Sequence, residues 1–260
     1  MDSTRCRNSA TRNFCVRSGF ILWSQSKGVN TLSIMRNILY LAFVLFLLPV
    51  SALQAGDLTL KVTEKTPPKE ISPALQQELQ PKAIQLLNGD QPAFEFWFVK
   101  EVGLKSAPAS PDKALNAIKE MAFLGAVAVS TEGRRDYKDN EIPTGVYTMR
   151  FGLQPQDGDH LGTADFSTFA ILVSAKYDSK PDAFANFKAL TKASSKDTST
   201  EHPIILNLRP TSTTDAKDLP KLNEPAPEHK GVLLSIPAKN GDHPTQIICD
   251  FVYQGHGHIQ

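Results

Sequence analysis

The chain has few cysteines, and their positions exclude an intrachain disulfide in the exported form. Of the three in 260 residues, Cys6 and Cys15 lie near the N-terminus and only Cys249 lies in the body of the sequence. If the N-terminal segment is removed on export, Cys249 has no partner in the chain. A domain of about 205 residues buries enough apolar surface to fold without disulfides.

The chain also lacks an apolar run that is long enough to cross a bilayer. The longest, Ile38 to Leu48, falls short of the ~20 residues that a spanning helix needs. It follows Met35 and one arginine, and Pro49 and small residues end it. This order is typical of a secretory signal peptide. We predict cleavage after Ala52 or Ala55, with Ala52 preferred; the alternative is a retained membrane anchor.

Residues 1–34 are rich in Arg and Ser, contain one acid, and precede a signal peptide that has its own Met. Translation is therefore predicted to start at Met35, with a long signal-peptide n-region or a transit peptide as alternatives. The predicted organisation is a non-native leader (1–34), a signal peptide (35–55), an N-terminal strand with a Pro-rich arm (56–82) and a β-sandwich domain (83–260). The predicted location is secreted or periplasmic.

An excess of positive charge is also missing. The first 55 residues hold six of the 28 basic residues and one of the 27 acidic ones, which leaves residues 56–260 with a net charge of −4. Without a basic cluster, a nucleic acid is not expected as a partner. A membrane is expected as a partner only through an uncleaved signal segment.

Established catalytic motifs are absent too. The sequence has no G-x-S-x-G elbow, H-E-x-x-H, phosphate-binding P-loop or dinucleotide fingerprint. Cys249 lies between apolar neighbours at the inward period of a strand, which predicts a buried, inert thiol. The enzymatic question stays open, but these absences favour a protein that is not an enzyme.

What the sequence does contain is a series of short β-patterns. Ile142 to Val173 is interpreted as the central strand pair, joined by a polar loop. Phe94, Phe96 and Phe98 alternate along a strand and predict a core stripe. Further strands are predicted at 58–63, 93–102, 123–129, 203–208, 231–237 and 245–253.

Two short helices are predicted, one opened by Ser110-Pro111-Asp112 and continuing to Met121, the other at 182–193. Residues 65–81 are interpreted as a linker or surface arm, and 210–230 as a loop. The predicted fold is mainly β: a single antiparallel β-sandwich with one or two short helices.

Several histidines and acids could bind a divalent metal. The loop from Asp157 to His160 has alternating acids around a Gly, followed by an imidazole, and Gly241-Asp242-His243 repeats its last three residues. His256-Gly257-His258 is a further possible chelating pair. The candidate ligands are Asp157, Asp159, His160, His202 and His243. A polar turn explains the same loop by backbone preference alone, and no other cofactor is expected.

The order of several motifs resembles that of a family of uncharacterised secreted bacterial proteins, of planctomycete type, between Leu87 and Thr211. The matching segments are Arg135-Asp136-Tyr137, Ile142-Pro143-x-Gly145-Val146-Tyr147-Thr148-Met149-Arg150, Gln154-Pro155-x-Asp157-Gly158-Asp159-His160-x-Gly162-Thr163, Phe169-x-x-Leu172-Val173 and His202-Pro203. The family has no established activity. The resemblance implies a strand pair around the Asp157–His160 loop, with His160 and His202 facing each other across it.

Two functions of different kinds follow from these observations. The first is a non-enzymatic, secreted or periplasmic module that binds a polysaccharide or an envelope protein, or serves as a structural part of the envelope. The alternative is a metal-binding or metal-dependent hydrolytic domain that uses the Asp157–His160 loop with other histidines.

Overall fold

The computed structural model describes residues 58–154, 166–198, 200 and 202–255. Strands dominate this part of the chain: β1 (Thr59–Glu64), β2 (Lys82–Asn88), β3 (Gln91–Phe98), β4 (Val102–Gly103), β5 (Phe123–Val129), β6 (Arg134–Arg135), β7 (Glu141–Ile142), β8 (Gly145–Leu153), β9 (Thr168–Ser174), β10 (Ile204–Pro210), β11 (Lys221–Ala226), β12 (His229–Asn240) and β13 (His243–Gln254). The α-helices are α1 (Pro73–Gln76) and α2 (Phe187–Ser194), and short 3₁₀ helices span Pro111–Ala117, Ala175–Tyr177 and Ser195–Asp197.

One large sheet contains most of these strands, in the order β1-β2-β3-β5-β8-β9-β10-β13-β12-β11. Neighbours along this path are antiparallel, and only the short β4 joins in parallel, beside β12. The pair β8 and β9 lies in the middle of the order. The prediction that Ile142 to Val173 holds the central strand pair is therefore confirmed.

The sheet folds over, so that its two halves face each other. Four strands separate β3 from β13 in the sheet order. The ring centroids of Phe96 and Phe251 are nevertheless 5.0 Å apart, and those of Phe98 and Phe251 are 5.6 Å apart. The predicted aromatic stripe of β3 thus packs against the predicted inward face of β13. The mainly β, antiparallel fold with short helices is confirmed, and one continuous sheet supplies both layers.

The turn between β2 and β3 agrees with its sequence signal. Gly89 has φ +59°, a left-handed conformation that glycine adopts without steric cost, and β2 pairs antiparallel with β3 on either side of it. The Asn88-Gly89-Asp90 segment therefore forms the hairpin that its composition predicts.

The linker interpretation of residues 65–81 is wrong. Ile71, Leu75 and Leu79 on this segment are almost fully buried. The backbone carbonyl of Lys65 accepts a hydrogen bond from Nε1 of Trp97 in β3 (2.9 Å). The three apolar residues are four positions apart, which is a helical spacing, but the prolines and charged residues around them give the segment the composition of a linker. The packed structure identifies the segment as part of the core.

Two further predictions need correction. The segment opened by Ser110 forms a 3₁₀ helix that ends at Ala117, short of the predicted end at Met121, because Ile118 has extended backbone angles (φ −68°, ψ 141°). The Ser110 side chain does not cap this helix. The predicted loop at 210–230 contains β11, which pairs with β12. Within the residues that the structure describes, no helix is both long and apolar enough to span a membrane.

A buried ion pair ties the segment after β9 to the sheet. The Arg150 guanidinium donates to both carboxylate oxygens of Asp178, at 2.8 and 2.6 Å, and both side chains are essentially inaccessible. Thr148 donates to the same carboxylate at 2.6 Å. The remaining guanidinium N–H groups donate to the carbonyls of Met121, Lys180 and Pro181. Every charge here has a partner, which is the condition for burying an ion pair without a large loss of stability.

Candidate functional site: a cavity with a basic rim

Helix α2 lies on the outer face of the central strands because its capping and its apolar residues fix it there. The Asn186 side chain accepts a hydrogen bond from the backbone N–H of Ala189 (2.9 Å), which satisfies a free donor of the first turn. Leu190 and Ala193 are buried in a small second core cluster on that face. Ser194 donates to the carbonyl of Leu172 in β9 (2.5 Å) and accepts from the N–H of Ile204 (2.9 Å).

Between this helix and the sheet lies a cavity of about 650 Å³. Its floor consists of Phe169 and Ile171 from β9 and Ile205 from β10, and each of these side chains is less than a tenth exposed. Phe187 from α2 and Pro203 contribute apolar walls. The volume lies within the ~300–1,000 Å³ that small-molecule sites usually occupy.

Gly152 of β8 helps to shape this floor. It pairs with Phe169, and a Cβ at this position would lie 2.5 Å from Cδ1 of Ile171 and 3.3 Å from Cε2 of Phe187. The missing side chain therefore lets the helix residue Phe187 approach the strand. No pattern in the sequence distinguishes this glycine from one at a bulge.

The rim of the cavity is basic. Lys188 and Lys192 lie one turn apart on α2, Lys138 comes from the loop before β7, and His202 precedes β10. No Asp or Glu is among the described residues that line the cavity. A second cavity of about 380 Å³ differs in this respect, because acids and bases line it together, including Glu78, Glu101 and Arg150.

The lysines of α2 reach the rim through helical spacing. Lys188, Thr191, Lys192 and Ser195 all line the cavity, and residues three, four and seven positions apart share one side of a helix. The buried residues Leu190, Ala193 and Ser194 lie on the side of the helix that packs on the sheet next to the cavity. The sequence predicted the amphipathic helix, but its polar side was not recognised as functional, because a polar stripe is usually only the solvated face.

Lys138 is held at the rim by a buried carboxylate two residues earlier. Asp136 accepts hydrogen bonds from the backbone N–H groups of Lys138 (2.9 Å) and Asn140 (2.8 Å) through Oδ1, and from that of Ile205 (3.2 Å) through Oδ2. The N–H of Tyr137 also donates to the carbonyl of Ile205 (3.0 Å). The loop is thus fixed against β10, the strand that supplies part of the cavity floor.

Burial raises the pKa of Asp136 above its ordinary value, and the hydrogen bonds from Asn140, Ile205 and Lys138 oppose this shift only in part. Asp139, three residues on, is exposed and forms an ion pair with Arg135 (3.4 Å). The two carboxylates have different environments and different partners. Asp136 therefore positions a turn, and this pair does not form a catalytic dyad.

Of the five predicted metal ligands, the structure describes His202 and His243, and it places these two far apart. Asp157, Asp159 and His160 lie outside the described residues, as do His256 and His258. The start of β10 pairs with the C-terminal end of β13, and His202 precedes β10. His243 is the first residue of β13, at the opposite end of that strand. This strand is twelve residues long, a span of roughly 40 Å at ~3.3 Å per residue. Among the residues described, no group of three or more His, Cys, Asp or Glu could hold a metal ion.

Cys249 is a core residue. It is fully buried, is a free thiol, and burial raises its pKa to about 12, with the charge of neighbouring Asp250 adding to the effect. The prediction of a buried thiol is confirmed. Its inertness stays a prediction, which the burial and the raised pKa support, since a nucleophilic cysteine needs access and a lowered pKa.

Comparison with known proteins leaves the family unassigned. No family model, no curated protein and no solved structure matches the chain. The resemblance to secreted planctomycete-type proteins therefore stays a prediction. The basis for a functional assignment is the chemistry of the cavity.

Proposed function

We propose that this protein is an exported, non-enzymatic binding module that holds an anionic ligand in the cavity between α2 and the central strands. The observation that carries the proposal is the lining: Lys138, Lys188, Lys192 and His202 surround an apolar floor, and no described acid lines it. Three separate chain segments contribute these groups, in a mature chain whose net charge is −4. A local concentration of positive charge on an acidic protein favours a negative ligand.

The same lining supports binding over catalysis. Gln154, Thr191 and Ser195 add hydrogen-bonding groups at the edge of the cavity. One imidazole is present, but among the described residues the cavity has no carboxylate that could orient it or accept a proton. An acidic polysaccharide or an acidic segment of an envelope protein, the ligand classes expected from the sequence, would present carboxylates to this rim.

A lysine at the edge of a cavity contributes modestly to binding, about 0–1 kcal/mol when exposed. Two or more lysines acting with an apolar floor are therefore needed for a specific site. The proposal is tested by calorimetric titration with a galacturonate oligosaccharide and with decanoate, each beside its neutral counterpart. We expect an acidic probe to bind, with an affinity that falls as salt is added.

The Lys188→Met/Lys192→Met double variant should weaken acidic binding several-fold, up to about thirtyfold if each lysine contributes ~1 kcal/mol. Lys82→Met is the matched control, because Lys82 is exposed at the start of β2 and does not line the cavity. Equal binding of acidic and neutral probes, or an unchanged affinity in the double variant, would refute the proposal.

The metal hypothesis stays a prediction with its own test. Elemental analysis of the purified, untagged protein measures its metal content directly. The change in melting temperature on addition of zinc, calcium or copper reports metal binding. Stoichiometric metal, lost in His202→Ala, would support a metal site that includes this residue.

A further inference from the structure

We propose that the ligand of this cavity is a single-chain aliphatic carboxylate. The hydrocarbon chain lies on the floor of Phe169, Ile171 and Ile205, and the carboxylate lies at the rim between Lys188 and Lys192. This inference rests on the proposed binding function and specifies the chemistry of the ligand.

The floor determines which kind of anion fits. Its three side chains carry no hydrogen-bonding atom. A sugar ring placed there would lose water from its hydroxyl groups without gaining partners from these side chains, which is unfavourable for each group. A methylene chain loses nothing on leaving water and gains from burial. The apolar floor therefore favours hydrocarbon over carbohydrate.

The rim determines the head group. Lys188 and Lys192 are one helical turn apart and repel each other when no anion is present. A carboxylate between them neutralises this repulsion and can accept hydrogen bonds from both ammonium groups. The lysine stems can lie along the apolar wall while the charged ends stay in water, so both ends of an amphiphile find a matching surface.

The shape of the site favours a free chain over a membrane surface. The cavity lies between a helix and the sheet, and Phe187 and Pro203 form its walls. A bilayer would need an exposed apolar face, whereas the floor residues here are each less than a tenth exposed. Lys138 also lines the cavity, and its loop is fixed to β10 by the hydrogen bond from the N–H of Ile205 to Asp136.

The test is a calorimetric titration of the full chain with hexanoate, octanoate, decanoate and dodecanoate, each below its micellar concentration, beside the matching alcohols. We expect affinity to rise about fourfold per methylene, the equivalent of ~0.8 kcal/mol of burial, until the chain fills the cavity. The carboxylates should bind several-fold to about thirtyfold more tightly than the alcohols. Lys188→Met/Lys192→Met should remove that difference while the dependence on chain length remains.

Phe187→Ala supplies the complementary variant. Phe187 is only half-buried at the first position of α2, so the fold should tolerate the change, which circular dichroism and the melting temperature verify. We expect it to weaken decanoate binding more than hexanoate binding. Phe184→Ala, a half-buried aromatic that does not line the cavity, is the control.

The outcomes separate this inference from the broader proposal. Lysine-dependent binding of galacturonate oligosaccharide, with carboxylate affinities that do not depend on chain length, would overturn the aliphatic ligand and leave the binding function intact. Binding only to phosphatidylglycerol vesicles would also overturn it, in favour of a membrane surface. If no acidic probe binds, both proposals fail.

Discussion

Arg150 and Asp178 show how strongly a single buried pair can control the fold. Both side chains are inaccessible and every hydrogen bond is internal. Removing one partner leaves an uncompensated charge in the interior. Asp178→Ala should therefore lower the free energy of unfolding by about 3–5 kcal/mol, as measured by urea denaturation.

The double variant Arg150→Met/Asp178→Leu tests the cause of that loss. It removes both charges and keeps apolar bulk, so it should be clearly more stable than Asp178→Ala. A double variant as unstable as the single one would show that the geometry of the pair, beyond its charge balance, holds the segment after β9 in place.

Asp250 gives the stability of the protein a pH dependence of a defined sign. Burial raises its pKa, while the hydrogen bond from Asn223 (2.6 Å) and the charge of Arg209 act in the opposite direction. A raised pKa means that the folded state holds the proton to a higher pH than the unfolded state. The stability that this group contributes is present at low pH and is lost as pH rises through the folded pKa.

Asp250→Asn cannot ionise and can still accept the Asn223 hydrogen bond. The measurement is urea unfolding of both proteins between about pH 3 and pH 7, the range in which carboxylates titrate. The free energy of unfolding of Asp250→Asn, relative to that of the wild type, should increase as pH rises. A constant difference between the two proteins would show that Asp250 does not carry this dependence. The pKa of Asp136 is also raised. Because both proteins contain Asp136, its effect on the pH dependence cancels in the difference between them.

Cys249 yields a prediction about reactivity. Because the thiol is buried and its pKa is about 12, it should not react with a thiol reagent in the folded protein and should react once urea unfolds the chain. The measurement uses a chain with Cys6→Ser and Cys15→Ser, so that only this thiol is counted. Stoichiometric labelling of the folded protein would contradict the core position of Cys249.

At the scale of elements, the position of α2 depends on its first-turn cap and on its hydrogen bonds to the sheet. An eight-residue helix is too short to be stable by itself, so its attachment to β9 and β10 decides its position. Ser194 provides that attachment, since its hydroxyl bonds both Leu172 and Ile204. Asn186 provides the first-turn cap.

Ser194→Ala should lower the free energy of unfolding by about 1–3 kcal/mol, because it leaves a buried N–H without its acceptor. It should also weaken binding of decanoate, since the cavity wall is part of the same helix. Thr191→Ala, a change on the cavity side of α2 that removes no buried hydrogen bond, is the control for stability. A stable Ser194→Ala protein with unchanged binding would show that packing alone holds the helix.

At the scale of the whole molecule, the folded-over sheet makes the two halves one cooperative unit. Phe251 of β13 contacts both Phe96 and Phe98 of β3 and is about 1% exposed. Phe251→Ala should lower the free energy of unfolding by about 3–5 kcal/mol. In a chain with Trp23→Phe, so that Trp97 is the one tryptophan, fluorescence of Trp97 in the β3 half and far-ultraviolet circular dichroism should still report one coincident transition. Separate transitions would mean that the halves fold independently.

The sequence by itself determined several of the longer strands and, for β3 and β13, which side chains face the core. Alternation with a period of two identified the stripe of β3 and the inward face of β13, because alternate residues of a strand face the same way. The central pair β8 and β9 was identified as two short strands joined by a polar loop. It also identified Cys249 as a core residue. These features depend on local pattern, which a linear sequence contains in full.

Tertiary structure decided the rest. The docking of residues 65–81 against β3, the Arg150–Asp178 pair and the basic cavity each join residues that are distant along the chain, and no local period encodes such contacts. The rim illustrates this most clearly, because Lys138, Lys188 and His202 come from three segments that only the order of strands in the sheet brings together. Each of them by itself is an ordinary surface residue, and their common cavity gives them a proposed function.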